Sequence, residues 1–536
     1  MGQHMCTRLA YFVPHVFAAG LVASTCFAVM QPGAPQNLPG LQPPVTIPVS
    51  ETTEKAAPAA GPATIDAESL EHARELLKIK LNAQLAEAAA VKDLPAAAAT
   101  LRDLAKLQPG QWIPRFNLAA VLGRMGPAER DAAAEALAEA FSCGFDDFAR
   151  LRADPALAAV LEHERISPIV AEPQKLLAAL RDAKLAGLRK LYGPKYSYSI
   201  NDGLRIGIAS SVPEASLEFA TTQMEIVRTW WQAAVLPQGV SAVTADGTTP
   251  DPWVMVVIPT RRDFDKWAAQ VAGARAGTLA GLYDHDRREL VMQDTGSTLR
   301  HEFAHVLHWR QMMRLRQVHP VWVQEGLCSL IEDVVVDKES GTVKPVASWR
   351  TNTVRRMADT GNLPKFAVLF AMRPEKFTGE RTLANYAMAR AVFLFLAEQG
   401  KLRQWYAAYT EGFDAEPTGS AALAAVLGKP IEQIEKDFRV WARNIPEAPD
   451  ANAGPRRTIG VELEQAADGL AVGMMGLSEM KTGGLRPGDV VQEVAGVAVR
   501  DWHDLARAIG TKHLGETVEV KVRRVRKVMI LKVEVE

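Results

Sequence analysis

The stretch Ser297-Thr298-Leu299-Arg300-His301-Glu302-Phe303-Ala304-His305-Val306-Leu307, followed by His319-Pro320-Val321-Trp322-Val323-Gln324-Glu325-Gly326-Leu327, decides how this chain is read. Leu299, Phe303, Val306 and Leu307 recur at helical spacing, and Ser297 or Thr298 offers a cap at the start. Residues four apart share one face of a helix. His301 and His305 therefore reach one metal ion, and Glu302 projects beside them toward a water on that ion. A catalytic zinc needs three protein ligands and an open position, and Glu325 offers the third ligand from a second helix entered after Pro320. Twenty positions separate His305 from Glu325, enough chain to turn back and lay that helix beside the first. His308 lies on the same face as His301 but about 10 Å along the axis, too far to share the ion, and reads as structural. His319, in the connecting loop, reads as a surface histidine or one near the cleft.

Around this motif the chain has the composition of an ordinary globular protein. It has 536 residues, 61 Lys and Arg against 62 Asp and Glu, 48% hydrophobic and 23% charged residues. Wholesale disorder, a fibrous repeat and the charge excess of a nucleic-acid binder are all disfavoured. At about 150 residues per domain, the length implies about three or four domains. Residues 1–29 carry Arg8 and then an apolar stretch from Leu9 to Val29, interrupted by Pro14 and His15. That pattern is the one of a secretory signal peptide cleaved near Ala28, with an uncleaved anchor and a lipid-modified Cys26 as alternatives. The mature chain would then keep Cys143 and Cys328, one bridge at most, and no segment able to span a bilayer.

Composition and period divide the remainder. Residues 30–63 hold eight of the 32 prolines and read as an extended linker. Residues 64–190 turn Ala/Leu-rich with helical spacing at Leu76 and Leu77, Leu101, Leu104 and Leu107, and Leu118, Val121 and Leu122. Within them, Leu107 to Gly144 resembles a tetratricopeptide-type (TPR) helical hairpin, and a generic helical bundle explains the same pattern. Near Tyr196 the period shortens. Strands are expected around Tyr198 and Ile200, from Leu204 to Ile208, from Trp253 to Ile258, and as a pair at Leu279–Tyr283 and Glu289–Met292, with a helix over Glu214–Ala234. From there to residue 445 the chain reads as mainly helical, and 446–455 forms a second linker.

The His-Glu-Phe-Ala-His motif, with Glu325-Gly326-Leu327 on a helix preceded by Pro320 and Trp322, resembles the gluzincin metallopeptidases of the thermolysin and M1-aminopeptidase clan. The resemblance covers residues 195–445. It implies a small mixed sheet with active-site helices and a helical subdomain, one zinc ion per chain held by His301, His305 and Glu325, and Glu302 as general base. It further implies that the strand pair from Leu279 to Met292 flanks the cleft. In that family a tyrosine or histidine from the downstream helical part stabilises the oxyanion, a role that falls on Tyr386. Family members also place an acidic residue one turn after the glutamate ligand to hold a ligand histidine. Here that position is Ser329, which leaves Glu332 as a candidate.

Residues 456–536 resemble a PDZ domain of the bacterial envelope-protease type, carried by Gly483-Gly484-Leu485-Arg486-Pro487-Gly488-Asp489, the turn at Gly496 and a helical Trp502–Ile509 segment. The resemblance implies a carboxylate-binding loop at Thr458, Ile459, Gly460 and Val461, peptide addition along Val461–Glu464, and an apolar pocket lined by Leu505 and Ile509. A small β-domain that only packs against its neighbour is the alternative. The whole reads as a multidomain α+β protein: an exported zinc peptidase of the periplasm or cell envelope, possessing no nucleic-acid partner, acting on protein or peptide substrates and binding C-terminal peptides at the PDZ-like segment. The competing function is an inactive envelope adaptor that binds partners through its TPR-like and PDZ modules.

Overall fold

The computed structural model describes residues 67–245, 247, 249–272, 279–337, 339–379, 381–450, 457–473 and 483–536. The expected signal peptide (1–29) and Pro-rich linker (30–63) lie outside the described residues, as do residues 451–455 of the second linker. Among the described residues no helix is long and apolar enough to cross a membrane. Those residues fall into two compact units, one of 67–146 with 152–171 and one of 147–151 with 172–536.

The first unit is helical, with its main helices at Ala67–Ala90, Leu94–Leu107, Ile113–Met125 and Arg130–Ser142. Asp93 starts the second by accepting the Ala96 amide at 3.0 Å, and Gly126, at φ +113°, ends the third. Leu101, Leu104, Leu118, Val121 and Leu122 are buried as their spacing predicts. Leu76 and Leu77 are not, at 54% and 45% exposed, and Leu81 and Leu85 face inward instead. The first helix, at 24 residues, is about 36 Å long and its 14-residue neighbour about 21 Å, so its N-terminal half outruns the partner that would cover it. Trp112, Phe116 and Phe145 close the unit with ring centroids 4.5 to 6.2 Å apart.

In the second unit the long Pro173–Tyr192 helix, which the sequence groups with the helical region, precedes the sheet. Its Leu185 packs over Gly207, where an added Cβ would lie 3.2 Å from Leu185 Cδ2. Five strands follow: β1 (Ser197–Asn201), β2 (Ile206–Ser210), β3 (Val254–Ile258), β4 (Gly281–Asp284) and β5 (Glu289–Met292). They form one mixed sheet in the order β1-β2-β3-β5-β4, parallel at β2/β3 and β3/β5 and antiparallel at both edges. β2 and β3 are buried along their whole length, as strands in the middle of a covered sheet should be, and β3 is an unbroken apolar run. The Glu214–Trp230 helix crosses from β2 to β3 and continues as a wider π turn over Trp231–Val235. β4 and β5 join through a turn in which Asp284 Oδ1 accepts the amides of Asp286 and Arg287, both at 3.0 Å.

Beyond the sheet the chain is mainly helical, with one exception to the expected pattern. Val334–Val336 (β6) and Val343–Pro345 (β7) pair as a hairpin, because three β-branched residues in a row favour a pleated backbone over helix. The C-terminal segment forms a separate sheet: β8 (Leu463–Ala466), β9 (Gly469–Val472), β10 (Val490–Val494), β11 (Val497–Ala498), β12 (Thr517–Arg524) and β13 (Lys527–Glu534). Its order is β13-β12-β10-β9-β8, with β11 on β10 and β8 at the edge. Its own core of Ile459, Val461, Leu470, Val491, Val494 and Val520 is completed by the Trp502–Ile509 helix. The architecture is mixed α+β with several small sheets, as the composition and periods imply.

Candidate metal centre

The motif helix runs from Ser297 to Leu315 and is buried at most positions, a core helix. β4 lies directly on it. A Cβ on Gly281 would stand 2.7 Å from Thr298 Cγ2 and 3.2 Å from Glu302 Cγ, so only glycine permits this approach. The approach brings the Tyr283 amide to Glu302, whose Oε2 accepts it at 2.8 Å. The glutamate helix, Val321–Leu330, starts after Pro320 and is held by Trp322, which stacks on Phe370 and Phe393. Behind Glu325, Gly326 meets the Thr382–Glu398 helix so closely that an added Cβ would lie 2.7 Å from Phe393 and 2.9 Å from the Ala389 carbonyl oxygen. Arg300 ties the two ligand-bearing segments together, donating to the carbonyls of Ile331 and Glu332 while Nη1 reaches Gln223 at 2.7 Å.

These restraints bring His301, His305 and Glu325 to one point. Nε2 of His301 and Nε2 of His305 are 3.1 Å apart, and Glu325 Oε2 is 3.4 Å from each. A tetrahedral ion with bonds of about 2.0–2.1 Å sets its donors about 3.3–3.4 Å apart, so the three atoms already have the spacing of one face around zinc. Glu325 Oε2 is buried with no well-aligned hydrogen-bond donor among the described residues, only the two imidazole nitrogens 3.4 Å away, and a buried carboxylate oxygen so placed suits a cation. The donor set of two imidazoles and one carboxylate fits zinc. Among the described residues this is the one cluster of three or more such side chains able to hold an ion.

The electrostatics follow from burial and pairing. Burial favours a neutral Glu325, but His305 and His301 override it and hold its pKa down at about 2. Burial likewise opposes a charge on His301, yet the adjacent Glu325 and Glu332 carboxylates hold that pKa up at about 10. Glu302 is pushed above the usual carboxylate range, first by burial, as suits a base that must accept a proton.

The partner that orients His301 is Glu332. Its Oε1 lies 2.8 Å from His301 Nδ1, and Arg350 grips the same carboxylate through Nε at 2.7 Å and Nη2 at 3.0 Å. Ser329 does not take that role. Its carbonyl accepts Arg390 Nε at 2.9 Å instead. Arg350, Arg300 and the Tyr283 amide escaped the sequence reading, because an isolated arginine or a backbone N–H carries no pattern. Tyr386, on the Thr382–Glu398 helix, is buried, its hydroxyl without a hydrogen-bond partner among the described residues and near enough to the Glu325 carboxylate to feel its charge. Burial and that carboxylate push its pKa far above the ordinary phenol, so it remains a donor.

The outlying residues sort differently. His308 is fully buried, with Nε2 2.8 Å from His319 Nδ1, in keeping with a structural role. His319 is not a surface residue: it is 1% exposed, enclosed by Tyr406, Tyr409 and Phe413, and bonded to Gln317. Cys143 and Cys328 are both free thiols. In the C-terminal sheet, Gly460 adopts φ +71°, and Thr458 exchanges backbone hydrogen bonds with Glu536, the last residue. Ile459, Val461, Leu505 and Ile509 come together, all buried in that sheet's core.

No family model matches this chain, and no curated protein matches it. Among solved structures, an aminopeptidase N family protein from Idiomarina loihiensis is similar at 11% identity and a TM-score of 0.26. The overlap covers 64% of this chain and 66% of that one, just under two thirds of its length. Likeness of this degree fixes neither fold nor activity.

Proposed function

We propose that the chain is a zinc-dependent peptidase of gluzincin type, and the observation that carries this reading is the convergence of His301 Nε2, His305 Nε2 and Glu325 Oε2 at tetrahedral spacing beside Glu302. Held by these three residues, zinc would supply the Lewis acidity that polarises a peptide carbonyl and acidifies water. Glu302, fixed through Oε2 by the Tyr283 amide, takes the proton of the attacking water and passes it to the leaving amine. Glu332 and Arg350 hold the His301 ring in the tautomer that turns Nε2 toward the ion. Tyr386, protonated at working pH, donates to the developing oxyanion. β4, the outer strand of the five-stranded sheet, lies against the motif helix and offers an extended peptide a backbone to pair with.

The same reading takes 64–190 as TPR-like and 456–536 as PDZ-like, in a protein exported to the periplasm or envelope and acting on protein or peptide substrates. The strand order of the C-terminal sheet, its edge strand β8 and the left-handed Gly460 support the PDZ assignment. Support for the enzyme over the adaptor comes from all four expected side chains being in place. Metal analysis of the purified chain, with a peptide-library assay on wild type and Glu302→Gln, tests the proposal. About one zinc per chain is expected. His301→Ala and His305→Ala should lose it, and Glu302→Gln should keep zinc but lose hydrolysis. Hydrolysis by Glu302→Gln at the wild-type rate would refute the mechanism.

A further inference from the structure

We infer that the Trp502–Ile509 helix of the C-terminal sheet positions the metal centre, with Asp501 and Arg507 as positioning residues. The inference rests on the zinc peptidase reading. Asp501 serves two helices at once. Its Oδ1 accepts the amides of His503 and Asp504, both at 2.8 Å, and so caps its own helix. Its Oδ2 accepts the hydroxyl and the amide of Ser297, the first residue of the motif helix, from 204 positions away. The other early donors of the motif helix, the amides of Gly296 and Thr298, go to Asp294 Oδ1 at 2.9 and 3.3 Å. A helix start leaves about four amides without partners inside the helix, and here the C-terminal segment meets one of them. Gly296 makes the approach feasible, since a Cβ there would lie 2.8 Å from Arg500 Cβ and 3.3 Å from Asp501 Oδ2.

Two further contacts from the same helix reach the other ligand-bearing segment. Arg507 Nη1 bonds Asp333 Oδ1, and Asp333 follows Glu332, the residue that orients His301. The His503 ring stacks on Trp349 at 5.1 Å with an interplanar angle of 6°, and the next residue, Arg350, grips Glu332. Asp501, His503 and Asp333 are all buried. One short helix and its cap residue therefore touch both the start of the helix that carries His301 and His305 and the segment that closes the helix of Glu325. As a single body it fixes their spacing, and a metal site accepts little error in spacing. The C-terminal segment thus acts at the zinc site, besides any peptide it recruits.

Full-length Asp501→Ala, Asp501→Asn, Arg507→Met and Arg524→Ala test this by zinc affinity in chelator competition, by the visible spectrum of the Co2+-loaded protein, and by kcat and KM. Arg524 pairs with Asp489 inside the C-terminal sheet and controls for general weakening of that part. Asp501→Ala and Arg507→Met should weaken zinc about 10–100-fold and shift the cobalt bands, as loss of outer partners of a metal site does. kcat should fall while KM holds. Asp501→Asn, which keeps only one of the two acceptor oxygens and turns an NH2 donor toward the other set of donors, should recover only part of the affinity, and Arg524→Ala should match wild type. Wild-type zinc affinity and cobalt bands in Asp501→Ala and Arg507→Met would overturn the inference, as would an equal loss in Arg524→Ala. Should Asp501→Ala fail to fold, Arg507→Met decides the matter alone. His301→Ala separates the two readings: zinc retained there refutes the peptidase assignment itself, whereas zinc lost there but kept in Asp501→Ala and Arg507→Met refutes only the positioning role.

Discussion

His301 engages partners through both ring nitrogens, and the side turned away from the proposed metal is the more demanding. Its Nδ1 meets Glu332, a carboxylate buried beneath the site and held below the usual range because Arg350 outweighs the cost of burial. Removing the guanidinium would leave that charge buried without its partner. Arg350→Met should therefore weaken zinc about 10–100-fold with Glu332 present. Arg350→Lys should recover only part of the loss, because an ammonium cannot reproduce the two-point grip. Chelator competition reads both, and unchanged affinity in Arg350→Met would show that Glu332 orients His301 unaided. Tyr386 packs under the same Arg350 guanidinium, with the Glu325 carboxylate close enough to raise its pKa. Tyr386→Phe should keep zinc and lower turnover roughly 10²-fold, the loss typical of one oxyanion donor. Undiminished turnover would assign the residue to packing with Phe377 and Arg350 alone.

At the scale of elements, two glycines do what no ligand can do for itself. Gly281 lets β4 lie on the motif helix, and Gly326 lets the glutamate helix lie on the Thr382–Glu398 helix. Gly326→Ala forces a methyl group to within 2.9 Å of the Ala389 carbonyl, a contact with backbone that cannot yield by a rotamer change. Overpacking of this kind costs about 1–3 kcal/mol. The strain also falls one residue from Glu325, so the melting temperature and the zinc content should drop together, and a variant with lowered stability but full zinc content would show that the helix shifts without carrying Glu325. The spacing His301, His305 and the Pro320-led helix were legible in the sequence because helical periodicity is local. So were β2, β3 and the β4/β5 pair, each an apolar run between turn residues. What stayed hidden depended on distant partners. Glu332 stood out only as an acidic residue near Ser329, Arg350 not at all, and Val334–Val336 is too short for its period to distinguish strand from helix. His319 read as a loop histidine because no sequence pattern announces the aromatic cage that closes over it.

At the scale of the whole molecule, the contact between the C-terminal sheet and the start of the motif helix sets two buried carboxylates against each other. Sequence patterning defined that sheet by its own turns and core, but not what it rests on, since Asp294 and Asp501 are 207 positions apart. Burial first, and then the Asp501 charge, push Asp294 up to about 7. Asp504, buried beside Asp501, is pushed up to about 6 by the same causes, with Arg507 and Arg300 opposing. Asp501 itself is lowered despite burial, by His503, Ser297 and Arg507 among others, and keeps its charge. The sign follows from proton counting. Between about pH 4 and 7 the folded chain holds a proton on Asp294 that the unfolded chain has released, so stability falls as pH rises through that window, and the full cost is present above about 7. Asp294→Asn removes the repulsion and keeps an oxygen to accept the Gly296 and Thr298 amides. The variant should melt several degrees above wild type at pH 8, and its advantage should shrink steadily as pH falls toward about 4, where wild-type Asp294 is neutral. Melting curves of both full-length proteins across that range decide the matter. An advantage that does not change with pH would mean that the substitution acts through packing, and a loss of stability at pH 8 would mean that the Asp294 charge is compensated after all.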